Sequence, residues 1–390
     1  MNWERVFKVN MCHERKKEVL GIMWKTVSES CNLICDYCYY RNCKGNVSDI
    51  DVIDDALLEK FIKEYMELTD GVASFVWQGG EPLLAGIDFF ERVVQLQGKY
   101  APPHTIISNS VQTNGTLIDQ NWASFFKKYH FLVGVSLDGP KEINDQRRKT
   151  GSGSGSFHLI MNGIQHLKNA GVPFNILTVI HQGNVNKVAE VLKFFKEHQY
   201  HYLQFIPCMK FKAQTIEEPG KYEITPKEYG DFLCEVFDHW YNNGKPQFSE
   251  RFFDSMLASY VVGEGEICTH RKTCPETLLL ESNGEAYPCD FYIHSDFFLG
   301  NVREDSLTSI LHKKKEHPFQ KLKSNLPSSC QTCEFLHLCF GGCPRNRDWR
   351  RSSQDSEPDY FCESYKQVYR YTQTHLKNLS EILALKNGVD

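Results

Sequence analysis

Six short apolar runs alternate with five amphipathic stretches between Leu20 and Ile206, and this alternation narrows the fold more than any other feature of the chain. The runs are Leu20–Trp24, Ala73–Trp77, Thr105–Val111, Phe131–Leu137, Phe174–Ile180 and Tyr202–Ile206. Helical spacing is expected over 54–68, 89–100, 120–129, 157–170 and 185–197, with Asp54 or Asp55 as the first N-cap and Gly171 closing the fourth helix. Strict strand–helix alternation implies a parallel sheet with right-handed crossovers. In a barrel-type α/β fold the residues that follow the strands gather at one rim, where active sites form. Cys31–Cys38, Gly79-Gly80-Glu81, Asn114-Gly115, Ser136-Leu-Asp138 and Pro207-Cys-Met209 are therefore expected to face one cavity. Gly151-Ser-Gly-Ser-Gly-Ser156 is expected to be a flexible loop, since the pattern resumes at once after it.

The first of these post-strand segments carries chemistry. Cys31, Cys35 and Cys38 are spaced C-x3-C-x2-C. A four-iron cubane needs one thiolate per iron, so three local ligands leave one iron open to a non-protein group. The competing reading is a zinc knuckle, but structural zinc closes with four ligands, usually in C-x2-C pairs.

The character changes after residue 220. A helix is expected from Thr225 to about Tyr241, with Pro226 at its first position, and a small hairpin around Ser282-Asn-Gly284. From Glu266 onward cysteines dominate: Cys268, Cys274, Cys289, Cys330, Cys333, Cys339, Cys343 and Cys362. Eight thiols divide into two sets of four, enough to close two cubane clusters or two zinc sites. This region offers little core of its own, so metal is expected to staple it. A final amphipathic helix, about 365–385, is expected to pack back on the barrel. Cys12, Cys43, Cys208 and Cys234 are left over, Cys234 as a small buried apolar residue within a helix.

Bulk properties set the compartment and exclude some partners. The count of 15 cysteines in 390 residues, behind an N-terminus without a leader pattern, argues for metal in a reducing cytoplasm rather than disulfides. A net charge of −5 gives no footprint for nucleic acid or an anionic membrane, and no apolar run approaches a membrane span.

The motifs together resemble the radical S-adenosylmethionine (SAM) enzymes, with a cysteine-rich tail similar to their SPASM extension. Gln78-Gly-Gly-Glu-Pro82, Gln112–Asp119, Phe131–Pro140, Leu203–Ile206 and Tyr287-Pro-Cys-Asp-Phe-Tyr292 resemble the anaerobic sulfatase-maturating enzymes in particular, over about 22–375. The resemblance implies a partial (β/α)6 barrel, of α/β class, with a C-terminal extension stapled by clusters. Its expected divisions are an N-terminal segment (1–18), the barrel (19–220), a helical connector (221–265), the auxiliary-cluster domain (266–364) and a C-terminal helix (365–390).

The resemblance also implies roles. Cys31, Cys35 and Cys38 would hold the catalytic cluster, whose open iron chelates SAM. Gly79, Gly80 and Glu81 would lie along the methionine end, and Ser136 and Arg148 at the carboxylate or ribose. For Arg148, a solvated loop cation beside Arg147 and Lys149 is the plainer alternative. Tyr37 and Met209 would contact adenine, largely through backbone groups. Cys268, Cys274, Cys289 and Cys343 would bind one auxiliary [4Fe-4S] cluster, and Cys330, Cys333, Cys339 and Cys362 the other, making three in all. Asp290 would be the catalytic base, where the residues alone suggest a turn aspartate.

The implied reaction oxidises a peptidyl Cys or Ser to Cα-formylglycine. A 5′-deoxyadenosyl radical abstracts a β-hydrogen, Asp290 removes the side-chain proton, and the substrate electron leaves through the auxiliary clusters. The implied partners are a peptide substrate and an external electron donor such as flavodoxin or ferredoxin. A thioether-, cross-link- or epimer-forming enzyme acting on a precursor peptide is the alternative within the same superfamily. The 30 residues before Cys31 are too few for the recognition domain that such enzymes often carry. That segment, longer than the family minimum, and Tyr39-Tyr40-Arg-Asn-Cys43-Lys44 depart from the family pattern near the expected peptide entrance.

Overall fold

Each apolar run forms a strand, and each strand hands the chain to a helix that covers the sheet. The computed structural model of the chain describes residues 20–40, 50–208, 223–347 and 357–387. Its strands are β1 (Gly21–Lys25), β2 (Val72–Gln78), β3 (Ile106–Thr113), β4 (Leu132–Ser136), β5 (Phe174–Ile180) and β6 (Tyr202–Pro207), all parallel to their neighbours in sequence order. The covering helices are α1 (Asp55–Leu68), α2 (Ile87–Tyr100), α3 (Gln120–Lys128), α4 (Lys141–Arg147), α5 (Phe157–Ala170) and α6 (Val188–Glu197). The short α4 lacks a long apolar face and goes beyond the five helices that periodicity suggests.

Local chemistry sets the helix ends. The Asp54 side chain accepts the Leu57 N–H and caps α1. Gly171 ends α5 with φ of 65°, the left-handed conformation that glycine adopts most cheaply. Trp24 and Trp77 stack with ring centroids 5.4 Å apart between β1 and β2. Both are fully buried in a continuous core with Phe61, Phe75 and Phe90. Each such side chain contributes on the order of 1.5–3 kcal/mol.

The sheet does not stop at six strands. β7 (Ser249–Glu250) adds in parallel to β6 at one edge. At the other edge β8 (Thr277–Leu280) pairs in parallel with β1, and β9 (Glu285–Tyr287) and β10 (Gly300–Asn301) continue it antiparallel. The result is one open ten-stranded sheet, β10-β9-β8-β1-β2-β3-β4-β5-β6-β7. The expected hairpin is present, with Leu279 opposite Tyr287. The cysteine-rich region is richer in core than expected: Tyr40, Leu279, Tyr287, Tyr292, Ile293, Phe297 and Phe319 form a buried cluster.

Two further expectations are corrected. The C-terminal helix, Cys362–Asn387, packs on α7 (Pro226–Tyr241) and α8 (Arg251–Val262) rather than mainly on the barrel. Its buried stripe, Tyr365, Val368, Tyr369, Leu376, Leu379 and Leu383, matches the faces those two helices leave open. The 151–156 stretch is not a free loop. Its flanks bridge Lys149 to Gly155 and Thr150 to Leu33, and the Ser156 hydroxyl donates to the Arg148 carbonyl. Among the described residues, no helix is long and apolar enough to cross a membrane.

Candidate active site and cluster cavities

The strand ends of β1 to β6 surround a cavity of about 330 Å³. Cys31, Cys35 and Cys38 line it together with Gly79, Gly80, Ser136 and Arg148, and Asp290 and Phe291 from the cysteine-rich region complete the lining. The three-cysteine loop is pinned from several sides. Ile34 N–H donates to the Lys149 carbonyl (2.7 Å), Asn32 Nδ2 to Thr116 Oγ1 (2.8 Å), Asn114 Nδ2 to Asn32 Oδ1 (2.8 Å) and Glu81 N–H to the Ser30 carbonyl (2.8 Å). The Leu33 N–H and the Asn114 amide both donate toward Cys31 Sγ, at 3.4 and 3.7 Å.

Gly79 and Gly80 have φ of 91° and 49°, and both sit against protein. A Cβ on Gly79 would lie 2.5 Å from Lys25 Cδ, and one on Gly80 would lie 2.0 Å from the Ser30 carbonyl oxygen. Glycine is thus required here for the β2 turn to lie on the cysteine loop. Glu81 is fully buried and does not line the cavity. Its carboxylate accepts from Asn114 N–H, Thr113 Oγ1 and Leu83 N–H, at 2.7, 2.8 and 3.0 Å. Burial outweighs these donors and raises its pKa to about 7.

Asp138 is a buried hub that the sequence places at the rim without a role. Its Oδ1 accepts Arg148 Nη2 (3.0 Å) and the Val179 N–H (3.1 Å), and its Oδ2 accepts the Tyr37 hydroxyl (2.5 Å). Tyr37 also stacks on His181, with ring centroids 5.8 Å apart. Burial works against the Arg148 charge, but Asp138 beside it keeps the guanidinium protonated well above its ordinary range. The solvated alternative for Arg148 is thereby excluded, since the residue is 5% exposed. Its Nε is buried and has no partner among the described residues. An orphaned guanidinium donor on a cavity wall fits an anionic or hydroxyl-bearing ligand. Ser136 accepts from Gln112 Nε2 at 3.1 Å. Met209, Cys12 and Cys43 lie outside the described residues.

Asp290 is held at both oxygens. Lys25, the last residue of β1, forms an ion pair with Oδ1, and the Tyr39 hydroxyl donates to Oδ2. Lys25 is 1% exposed and lies over the Tyr40 ring, 4.5 Å from its centroid. Neither Lys25 nor Tyr39 is singled out by motif reading. The signal available was a lone lysine at the end of an apolar strand.

The eight thiols of the cysteine-rich region fall into two groups, while Cys208 lines the first cavity and Cys234 lies in α7. Cys330, Cys333, Cys339 and Cys362 line a second cavity of about 310 Å³. The chain wraps it with three successive left-handed residues, Phe340, Gly341 and Gly342. Cys268, Cys274, Cys289 and Cys343 form the other group. Burial pushes the Cys343 thiol up to about 12, with Cys268 next in influence, and Cys289 is raised by burial with Cys343 and Cys268 beside it. Cys35 is likewise raised to about 12, by burial first and by Cys31 and Cys38 in addition. A metal bound here would have to displace these protons, so loading would release them and depend on pH. Among the described residues no three His, Cys, Asp or Glu side chains are close enough to grip a single ion. All-thiol sets of three and four, two of them around cavities, instead fit iron–sulfur clusters.

Comparison with known proteins agrees with this geometry. Residues 26–195 match the Radical SAM superfamily, and residues 273–334 match SPASM, an iron-sulfur cluster-binding domain. A cysteine-type anaerobic sulfatase-maturating enzyme of Clostridium perfringens is 39% identical over 370 residues, covering 93% of this chain and 98% of that one. A serine-type enzyme of Bacteroides thetaiotaomicron is 36% identical over 377 residues, covering 92% and 90%. Solved structures of native anSMEcpe with bound AdoMet, without and with the Cp18Cys peptide, each match with a TM-score of 0.84 at 38% identity, over 93% of this chain and 99% of theirs. The chain therefore belongs to the radical SAM enzymes that carry a SPASM iron–sulfur extension, in the family of anaerobic sulfatase-maturating enzymes.

Proposed function

We propose that the chain oxidises a Cys or Ser side chain of a bound peptide to Cα-formylglycine. The observation that carries the reading is that Cys31, Cys35, Cys38, Arg148 and Asp290 line one cavity. Cys31, Cys35 and Cys38 would hold the cluster that binds SAM, leaving one iron without a protein ligand. When bound, this cluster and SAM supply a hydrogen-abstracting adenosyl radical. Arg148, through its free Nε, and Ser136 would orient the carboxylate or ribose of SAM. Tyr37 and Met209 remain assigned to adenine, and the Gly79–Glu81 turn to shaping the wall behind the methionine. Cys268, Cys274, Cys289 and Cys343 would hold one auxiliary cluster, and Cys330, Cys333, Cys339 and Cys362 the second.

Asp290 acts as the general base. Its position in the cavity lining lets its carboxylate take the thiol or hydroxyl proton of the substrate residue. Lys25 and Tyr39 fix the carboxylate, so little reorientation is needed when substrate arrives. Phe291, Leu177 and Val179 give the cavity an apolar lining that limits water. The electron donor would be a flavodoxin or ferredoxin, and the thiol-rich composition suits a reducing cytoplasm. The divisions 1–18, 19–220, 221–265, 266–364 and 365–390 serve as working boundaries for this reading.

The test is anaerobic incubation of cluster-reconstituted protein with SAM, a reductant and a peptide containing Cys-x-Pro-x-Arg, read by mass spectrometry. Conversion of Cys to formylglycine with release of 5′-deoxyadenosine is expected. Deoxyadenosine release with the peptide unchanged, for both the Cys and the Ser forms, would sink the substrate assignment.

A further inference from the structure

A buried lysine sits beside one of the two auxiliary thiol sets and pairs with no carboxylate among the described residues. Lys323 is 2% exposed. Its Nζ donates to the Gly342 carbonyl at 2.7 Å, immediately before Cys343. An ammonium has three donors, and the described residues occupy only this one. Burial disfavours its charge, and the groups within electrostatic reach that could offset this are Cys343, Cys268 and Cys274, which become anionic only when a metal takes the place of their protons. Arg347 and His270 are the other groups facing it, and neither helps. The Arg347 guanidinium repels it while bonding the Gly341 carbonyl (2.9 Å), and burial keeps His270 neutral. An uncompensated buried charge is costly. Four thiolates on a cubane carry the net negative charge that this site lacks.

We infer that Lys323 is the counter-charge of the cluster held by Cys268, Cys274, Cys289 and Cys343, and that it raises that cluster's reduction potential. The inference rests on the cluster assignment proposed above. Reduction adds one negative charge to the cluster, and a cation held nearby in a low-dielectric interior favours the more negative state. The two sets share Asp359, which faces Cys343 as well as Cys339 and Cys330, and Arg347, which faces Cys274 as well as Cys330. The second set differs at Cys362, which faces Lys366, a lysine partly open to solvent. Lys323 is a positioning and tuning residue that touches neither substrate nor SAM. Its effect should be confined to one of the three clusters.

The test uses the full chain carrying Cys31→Ala, Cys35→Ala and Cys38→Ala, so that only the auxiliary clusters remain. Redox titration followed by electron paramagnetic resonance compares Lys323, Lys323→Met and Lys323→Arg. One auxiliary signal is expected to move to more negative potential in Lys323→Met by about a tenfold change in the reduced-to-oxidised ratio, or about 59 mV for one electron. Lys323→Arg should restore it, and the other signal should stay in place. If Lys323→Met fails to load one cluster while Lys323→Arg loads both, the charge role is also supported. Unchanged potentials at full iron content, equal shifts of both signals, or loss of the cluster in both variants would overturn it. Parent protein that takes up no auxiliary iron would instead overturn the cluster assignment, and iron analysis of the parent separates that failure from the others.

Discussion

Lys25 and Asp290 form an ion pair between the last residue of the first strand and the residue that follows Cys289. The lysine side chain is 1% exposed and the aspartate 13%. The pair ties the extension to the barrel within the cavity lining, and it fixes the carboxylate assigned as the base.

Asp290→Asn keeps the shape of this contact and removes the base. SAM cleavage should continue while formylglycine formation falls about 10²–10⁴-fold, the range of general-base catalysis. Quantifying deoxyadenosine and modified peptide in the same reaction checks this. An equal fall in both would place Asp290 in SAM binding instead.

Lys25→Met leaves a half-buried carboxylate without its cation. A loss of about 3–5 kcal/mol in stability is expected for breaking such a pair, measured by anaerobic denaturant unfolding. Lys25→Met combined with Asp290→Asn should recover most of the loss, because no unpaired charge remains. A double variant as unstable as the single one would show that packing, rather than charge, dominates at Lys25.

Arg148→Met should weaken SAM binding. A hydrogen bond to a charged group contributes about 1.5–3 kcal/mol, so an increase in Kd of roughly 10–150-fold is expected by anaerobic calorimetry. Unchanged affinity would mean that Arg148 serves only Asp138 and Tyr37.

Gly80→Ala drives a Cβ into the Ser30 carbonyl, a backbone atom that cannot step aside. The cysteine loop should be displaced and its cluster lost while the auxiliary sets load. Iron content should fall from about 12 to about 8 atoms per chain, at four per cluster. Full loading would mean that the loop relaxes around the new methyl group.

Glu250 predicts an alkaline loss of stability. It is fully buried, caps α8 through the Phe252 and Phe253 amides, and its pKa is raised by burial from 4.5 to about 8. The native state therefore binds more protons than the unfolded state between those values. The stabilisation is complete below about 4.5 and is lost as pH rises through about 8. Glu250→Gln should flatten the fall of stability between pH 5 and 8 by up to one proton's worth of slope. A slope identical to the parent's would show that Glu250 is ionised throughout.

The six parallel strands were legible because each is a short apolar run ended by a turn or a polar motif. Asp54, Pro226 and Gly171 marked helix ends through their local chemistry. The grouping of eight thiols followed a family resemblance, and Cys330, Cys333, Cys339 and Cys362 do surround one cavity. What stayed hidden depends on pairings distant in sequence. Nothing in Thr277–Leu280 says that it will lie beside Gly21–Trp24. Lys25 looks like the ordinary polar end of a strand until Asp290 arrives against it. The 151–156 stretch has the composition of a linker, yet its neighbours Lys149 and Thr150 pin the cysteine loop. Glu81 belongs to the motif by sequence, but burial turns its carboxylate to Thr113 and Asn114.

The central claim is that this cavity removes a hydrogen atom from the β-carbon of a peptidyl Cys or Ser. Its most direct test uses peptides deuterated at the β-carbon or, separately, at the α-carbon of the target residue, with mass analysis of the released 5′-deoxyadenosine. Deuterium is expected in deoxyadenosine from the β-labelled peptide alone. Deuterium from the α-labelled peptide, or from neither, would contradict it.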